Sequence, residues 1–304
     1  MGGVSSTDLL APATAMDAVT LYVRDLDAMT RYYRDVVTLE VLDVPAPIEH
    51  QGPARAANVT LGRAGVPAVV LRHTPGLPPA GPGQAGLFHT AILFDSQAAL
   101  AAAVASIARH APQTFTGSAD HLVSEAFYFT DPEGNGIELY WDRARELWRR
   151  ADGVIQMDTL RLDPNAYLTE HLTQAGLDDP VAEGGTSIGH VHLQVGDIPS
   201  AQAFYVDALG FEVTATWHSA LFVSAGGYHH HMAMNTWASR GAGPRASTLG
   251  LGEVAIQVPT ADDVDALRSR LDHHGVTPRH DGQTLAFEDP WRNLIRVTSA
   301  ARVA

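Results

Sequence analysis

Hydrophobic and polar positions along this chain fall into a phrase that recurs four times. Each copy opens with apolar residues alternating with polar ones, the period of a strand with one buried face. An acidic or hydroxylated residue follows, and then apolar side chains spaced three or four apart, the period of an amphipathic helix. The clearest copies are AVTLYVRDLDAMTRYYRDV from Ala18 and HVHLQVGDIPSAQAFYVDALGF from His190. Both set an aspartate, Asp25 or Asp197, seven residues after the first strand position, and an aromatic pair, Tyr32-Tyr33 or Phe204-Tyr205, on the helix. Two looser copies begin at His89 (HTAILFDSQAALAAAVASIARH) and at Glu253 (EVAIQVPTADDVDALRSRLDHHG). Hairpin-like segments from Phe127 to Trp141 and from Leu285 to Val297 close the second and fourth copies. The pattern predicts a unit of strand, helix and about three strands, and so an α+β chain of four βαβββ modules.

The Pro/Gly-rich run from Thr74 to Gly86 separates the first two units, and a partly helical, acidic stretch separates the halves. The expected layout is residues 1–145 carrying modules one and two, a linker over 146–186, and residues 187–304 carrying modules three and four. A length of 304 residues accommodates two domains, each with a core of its own. No run approaches the ~20 apolar residues of a membrane span, and a net charge of −14 disfavours phosphate backbones and acidic lipid. Neither nucleic acid nor membrane is an expected partner. The N-terminus lacks a secretory signal, which makes the cytoplasm the expected location. With no cysteine and 15 histidines, any chemistry runs on imidazole nitrogen and on oxygen.

Strand-helix-three-strand units in pairs, with His or Glu on the first strand and Glu in the last, resemble the vicinal oxygen chelate superfamily. More narrowly, HLVSEAFYFTDPEGNGIELYWDR (from His121) and SAGGYHHHMAMNTWA (from Ser224) are similar to the bacterial catechol 2,3-dioxygenase family with four modules. The resemblance implies that modules pair into cup-shaped barrels whose metal ligands come from first and last strands. Module one opens at Ala18, which cannot ligate; module two offers His89 and Glu138. Module three offers His190 and the run His229-His230-His231, while module four offers Glu253 and Arg296. Two imidazoles and one carboxylate are the donor set of non-haem Fe(II) oxygenases, with open positions for substrate and O₂. The implied ligands are thus His89, His190 and Glu138, holding Fe(II) with Mn(II) as the alternative. The two middle modules would share the metal cup. Modules one and four would form a metal-free one, Glu253 and Arg296 replacing the ion as a pair.

The resemblance further implies extradiol cleavage of a catechol-type diol by O₂ to a ring-opened semialdehyde. It assigns His231 as acid/base residue, with Tyr128, ten residues before Glu138, and His121 as further catalytic groups. His229, Asn235 and Trp237 are expected in the pocket. Because the run is read as part of the last strand of module three, His229 and His231 share a face and His230 points away, so a one-residue slip in register changes the assignment. Plainer readings stand beside these. An inward histidine is more often a packed core residue than a ligand, and His192 shares the face of His190 as its nearest rival. The histidine run could be a surface cluster, Glu138 an exposed strand carboxylate, and Tyr128 sheet packing. Tyr33 and Phe204 read as core. The competing functions are an isomerase or glutathione transferase of the same superfamily, or a non-enzymatic aromatic- or drug-binding protein. A homo-oligomer is expected.

Overall fold

The computed structural model of the chain describes residues 9–44, 57–151, 154–217 and 219–300. The recurring phrase folds as four βαβββ units. The first comprises β1 (Ala15–Val23), α1 (Leu26–Arg31), β2 (Glu40–Leu42), β3 (Asn58–Arg63) and β4 (Val66–His73). The second comprises β5 (Gly86–Phe94), α2 (Gln97–His110), β6 (Phe115–Asp120), β7 (Ser124–Thr130) and β8 (Gly136–Asp142). The connecting segment holds short strands β9 (Arg150–Ala151), β10 (Val154–Ile155) and β11 (Leu160–Arg161), then helices α3 (Pro164–His171) and α4 (Gln174–Asp178). The third unit is β12 (Thr186–Gln194), α5 (Ile198–Gln202), β13 (Glu212–Trp217), β14 (Ala220–Ser224) and β15 (Met232–Asn235). The fourth is β16 (Gly250–Val258), α6 (Ala261–His273), β17 (Arg279–His280), β18 (Thr284–Glu288) and β19 (Leu294–Ser299).

The polar residue after each first strand is a helix cap. The side chains of Asp25, Ser96, Asp197 and Thr260 accept the backbone N–H of Ala28, Ala99, Ser200 and Asp263, each such cap being worth about 1 kcal/mol. The aromatic pairs lie in wider, π-helical turns that continue α1 and α5, over Tyr32–Val36 and Ala203–Ala208. Tyr33 and Phe204 are buried, as their spacing predicts.

Strand pairing joins units from opposite halves of the chain. One sheet runs β17-β18-β19-β16-β1-β4-β3-β2, uniting units four and one; the other runs β11-β6-β7-β8-β5-β12-β15-β14-β13, uniting units two and three. Each sheet therefore takes one unit from each half of the chain. The two units within each half are tied instead by a tyrosine. Tyr33 Oη of unit one donates to Asp131 of unit two at 3.1 Å, and Tyr205 Oη of unit three donates to Asp289 of unit four at 2.8 Å. As the cup-shaped pairing implies, both sheets stay open: among the described residues the edge strands of each do not pair with one another.

The two sheets share one core. Val19 and Leu21 of β1, Ile256 of β16, Ile92 of β5, Ile137 and Leu139 of β8 and Val191 of β12 all belong to it. Because strand side chains alternate, the residues between these apolar ones in the second sheet point to its opposite face.

Candidate metal centre

That opposite face carries the histidines and glutamate. Antiparallel pairing of β5 with β12 sets Ala91 opposite His190, and parallel pairing of β5 with β8 sets Ala91 beside Glu138. Glu138 and His190 thus flank a methyl group, and His89 projects from the same face one pleat along β5. The register needs a bulge at Gly189, between Ile188 and His190. A side chain there would meet the Tyr140 hydroxyl at 1.6 Å, so glycine is required by close approach.

One ligating atom from each of His89, Glu138 and His190 lies within 4.8 Å of the others, and all three residues are buried. Both imidazole Nε2 atoms approach the same carboxylate oxygen, at 3.0 Å for His89 and 3.2 Å for His190. His89 Nε2 is covered from solvent, and its approach to that oxygen lacks the angle of a hydrogen bond. A buried nitrogen without a hydrogen bond, aimed where a carboxylate and a second imidazole also point, fits a divalent cation bound by nitrogen and oxygen. Burial raises the Glu138 carboxyl, but the imidazoles of His190 and His89 outweigh it and hold the group well below the usual carboxylate range. Burial lowers His190, favouring the neutral imidazole that ligates metals.

Above these residues opens a cavity of about 290 Å³, lined largely by apolar groups including Phe88, Met157, Trp217, Phe222 and Trp237. Its size suits one substituted ring. A larger cleft of about 780 Å³, lined by Arg24, Glu133 and Arg245 among others, contains none of the three ligand-competent residues. Volume alone would not have selected the smaller cavity; the donor set does.

Tyr128 and His121 line this cavity. His121 Nδ1 lies 2.8 Å from the carbonyl of Asp158, which can only accept, so in a neutral His121 the Nε2 atom accepts a hydrogen bond from the Tyr128 hydroxyl, 2.7 Å away. Burial and the Glu138 carboxylate push the Tyr128 hydroxyl well above its ordinary range.

The histidine run departs from expectation. It lies in the loop between β14 and β15, where strand alternation does not apply. His230, not His231, lines the cavity, its ring centroid 4.1 Å from that of His190. His231 turns away, with Nδ1 accepting the Ala225 N–H at 3.2 Å and lying 3.0 Å from Ser224 Oγ. His229 lies behind His230 and does not line the cavity; nor does Asn235, whose side-chain amide donates to His192 Nε2 at 3.0 Å. Trp237 does line it. His192 also reaches the cavity, buried and held well below its ordinary range by burial and by His89.

In comparison with known proteins, residues 15–139 and 187–297 match the Glyoxalase/Bleomycin resistance protein/Dioxygenase superfamily. The chain belongs to this superfamily. A catechol-2,3-dioxygenase of Bacillus subtilis (strain 168) is 35% identical over 277 residues, covering 89% of this chain and 92% of that protein. Among solved structures, a Bacillus subtilis protein provisionally described as a dioxygenase superposes with a TM-score of 0.63 at 12% identity, covering 95% of this chain and 86% of its own. Glyoxalase I from Zea mays gives 0.56 at 17% identity, covering 94% and 92%. At such identities the superpositions establish the superfamily fold.

Proposed function

We propose that the protein is an extradiol dioxygenase that opens a catechol-type ring with O₂ to give a semialdehyde. The observation that carries this reading is the convergence of His89, His190 and Glu138 beneath an apolar, ring-sized cavity with proton-handling groups on its wall. The 35% identity to a protein named catechol-2,3-dioxygenase favours it over the isomerase and drug-binding readings.

The three ligands would hold Fe(II), with Mn(II) as the alternative, and the metal supplies Lewis acidity toward the diol oxygens and an electron path to O₂. The chain's own residues do the rest. His230 replaces His231 as the proposed acid/base residue, since its imidazole alone in the run reaches the cavity. Tyr128 and His121 form a hydrogen-bonded pair positioned to bind and orient a substrate oxygen. Phe88, Phe222 and Trp237 pack against the ring and exclude water. His192, steadied by Asn235, keeps an uncharged imidazole on the wall.

The test is anaerobic purification, assay of bound iron and manganese, and addition of catechol with O₂. A metal-containing protein that consumes O₂ and yields a yellow ring-opened product supports the reading. A protein that binds aromatics without consuming O₂ contradicts it.

A further inference from the structure

Behind His230 runs a chain of hydrogen bonds whose direction can be deduced atom by atom. It begins at Asp142, four residues after Glu138 on β8 and therefore on the same face of that strand. Asp142 Oδ2 accepts the Tyr228 hydroxyl at 2.7 Å, and Oδ1 lies 2.9 Å from His229 Nε2. An ionised carboxylate only accepts, so His229 carries its proton on Nε2. A neutral imidazole has one N–H, which leaves His229 Nδ1 as an acceptor. His230 Nδ1 lies 2.9 Å from it and must therefore be the donor. The remaining nitrogen of a neutral His230, Nε2, is left as a bare lone pair on the ring that lines the cavity.

We propose that Asp142 and His229 are positioning residues that fix the tautomer and orientation of His230, presenting an unprotonated Nε2 to the substrate. The pair does for His230 what a buried carboxylate does for the base of a hydrolytic triad, with a second imidazole interposed. The inference rests on the proposed function for its catalytic meaning, while the hydrogen-bond directions follow from the geometry with Asp142 ionised and both imidazoles neutral. The network also joins the two units that share the site: Asp142 and Tyr140 come from β8, whereas Tyr228, His229 and His230 come from the loop before β15. Tyr140 Oη lies 2.8 Å from Tyr228 Oη, and because Tyr228 donates to Asp142, Tyr140 donates to Tyr228. Both acceptor oxygens of Asp142 are thereby used, a demand that a carboxamide, with one oxygen and one NH₂, cannot meet.

The test uses the full chain, metal-free and labelled with ¹⁵N-histidine, and reads imidazole tautomers from long-range ¹H–¹⁵N correlations. The expected result is a proton on Nδ1 of His230 and on Nε2 of His229. Asp142→Asn should redistribute the His230 tautomer; in the metal-loaded enzyme it should lower kcat by about 10²- to 10⁴-fold with KM for the diol little changed, as expected for a misplaced imidazole proton. Asp142→Glu should restore part of the rate, and Tyr228→Phe, which leaves the Asp142–His229 contact in place, should keep the wild-type tautomer. A wild-type His230 protonated on Nε2, or an Asp142→Asn variant with unchanged tautomers, overturns the proposal. The expected tautomers in a protein that cleaves no diol would support the relay and refute the reaction.

Discussion

Ala91 shows how much one side chain decides at the residue scale. Its methyl group lies between Glu138 and His190 in the sheet register, leaving open the space on which three donor atoms converge. Removing a donor should empty the site. His190→Ala and Glu138→Ala are each expected to retain less than about a tenth of the wild-type metal, since loss of even an outer-shell partner costs about 10- to 100-fold in affinity, read by elemental analysis after dialysis. Wild-type metal content in either variant would refute the assignment. The histidine run gives a sharper contrast. His230→Gln should keep its metal and lose about 10²- to 10⁴-fold in kcat, the usual span for a general acid/base group. His231→Gln should turn over nearly normally, because that imidazole serves the Ala225 N–H and Ser224 rather than the cavity. Steady-state kinetics on the two variants tells these roles apart.

At the scale of elements, two repeated contacts carry the architecture. Tyr33→Phe and Tyr205→Phe each delete a hydrogen bond to a buried aspartate, and each should cost about 1.5–3 kcal/mol, measured by urea unfolding. The sequence makes these tyrosines legible as core through their apolar spacing, but their hydroxyls meet partners 98 and 84 residues away, a distance that local pattern cannot reach. The three candidate ligands were legible for a different reason. His89, Glu138 and His190 sit on strands, where alternation with Ile137, Leu139 and Val191 fixes the face each one takes. The histidine run sits in a loop, so the same rule does not anticipate that His230 is the one facing the cavity. Asp142 was available to sequence reading, since period two from Glu138 puts it on the site face. What the sequence does not display is that His229, 87 residues away, is its partner.

On the scale of the whole molecule, the chain closes through pairing of its first unit with its fourth. In that sheet Glu253 and Arg296 lie 2.7 Å apart, both largely buried, as an ion pair at positions equivalent to ligand sites in the other sheet. The four-module reading of the sequence anticipated this pair from the absence of a ligand at Ala18. The buried imidazoles also give the fold a pH dependence. Burial, with His229 and Arg145 adding to it, lowers His231 to about 3, whereas an unfolded histidine titrates near 6.5. Between those values the unfolded chain binds the extra proton, so stability is expected to fall as pH drops from about 6.5 toward 3. The slope from this one residue is up to about 1.4 kcal/mol per pH unit. His231→Gln should flatten the acid limb of a plot of unfolding free energy against pH, and an unchanged limb would contradict this account.

The claim on which the account turns is that one metal ion is bound in the sheet of units two and three, and none in the sheet of units one and four. Anomalous diffraction at the iron edge from crystals of the iron-loaded protein tests it most directly. The predicted result is a single strong peak within about 2.0–2.2 Å of nitrogen from His89 and His190 and oxygen from Glu138, with none beside Glu253 and Arg296. A peak elsewhere, or loaded crystals with no iron between those three side chains, would contradict it.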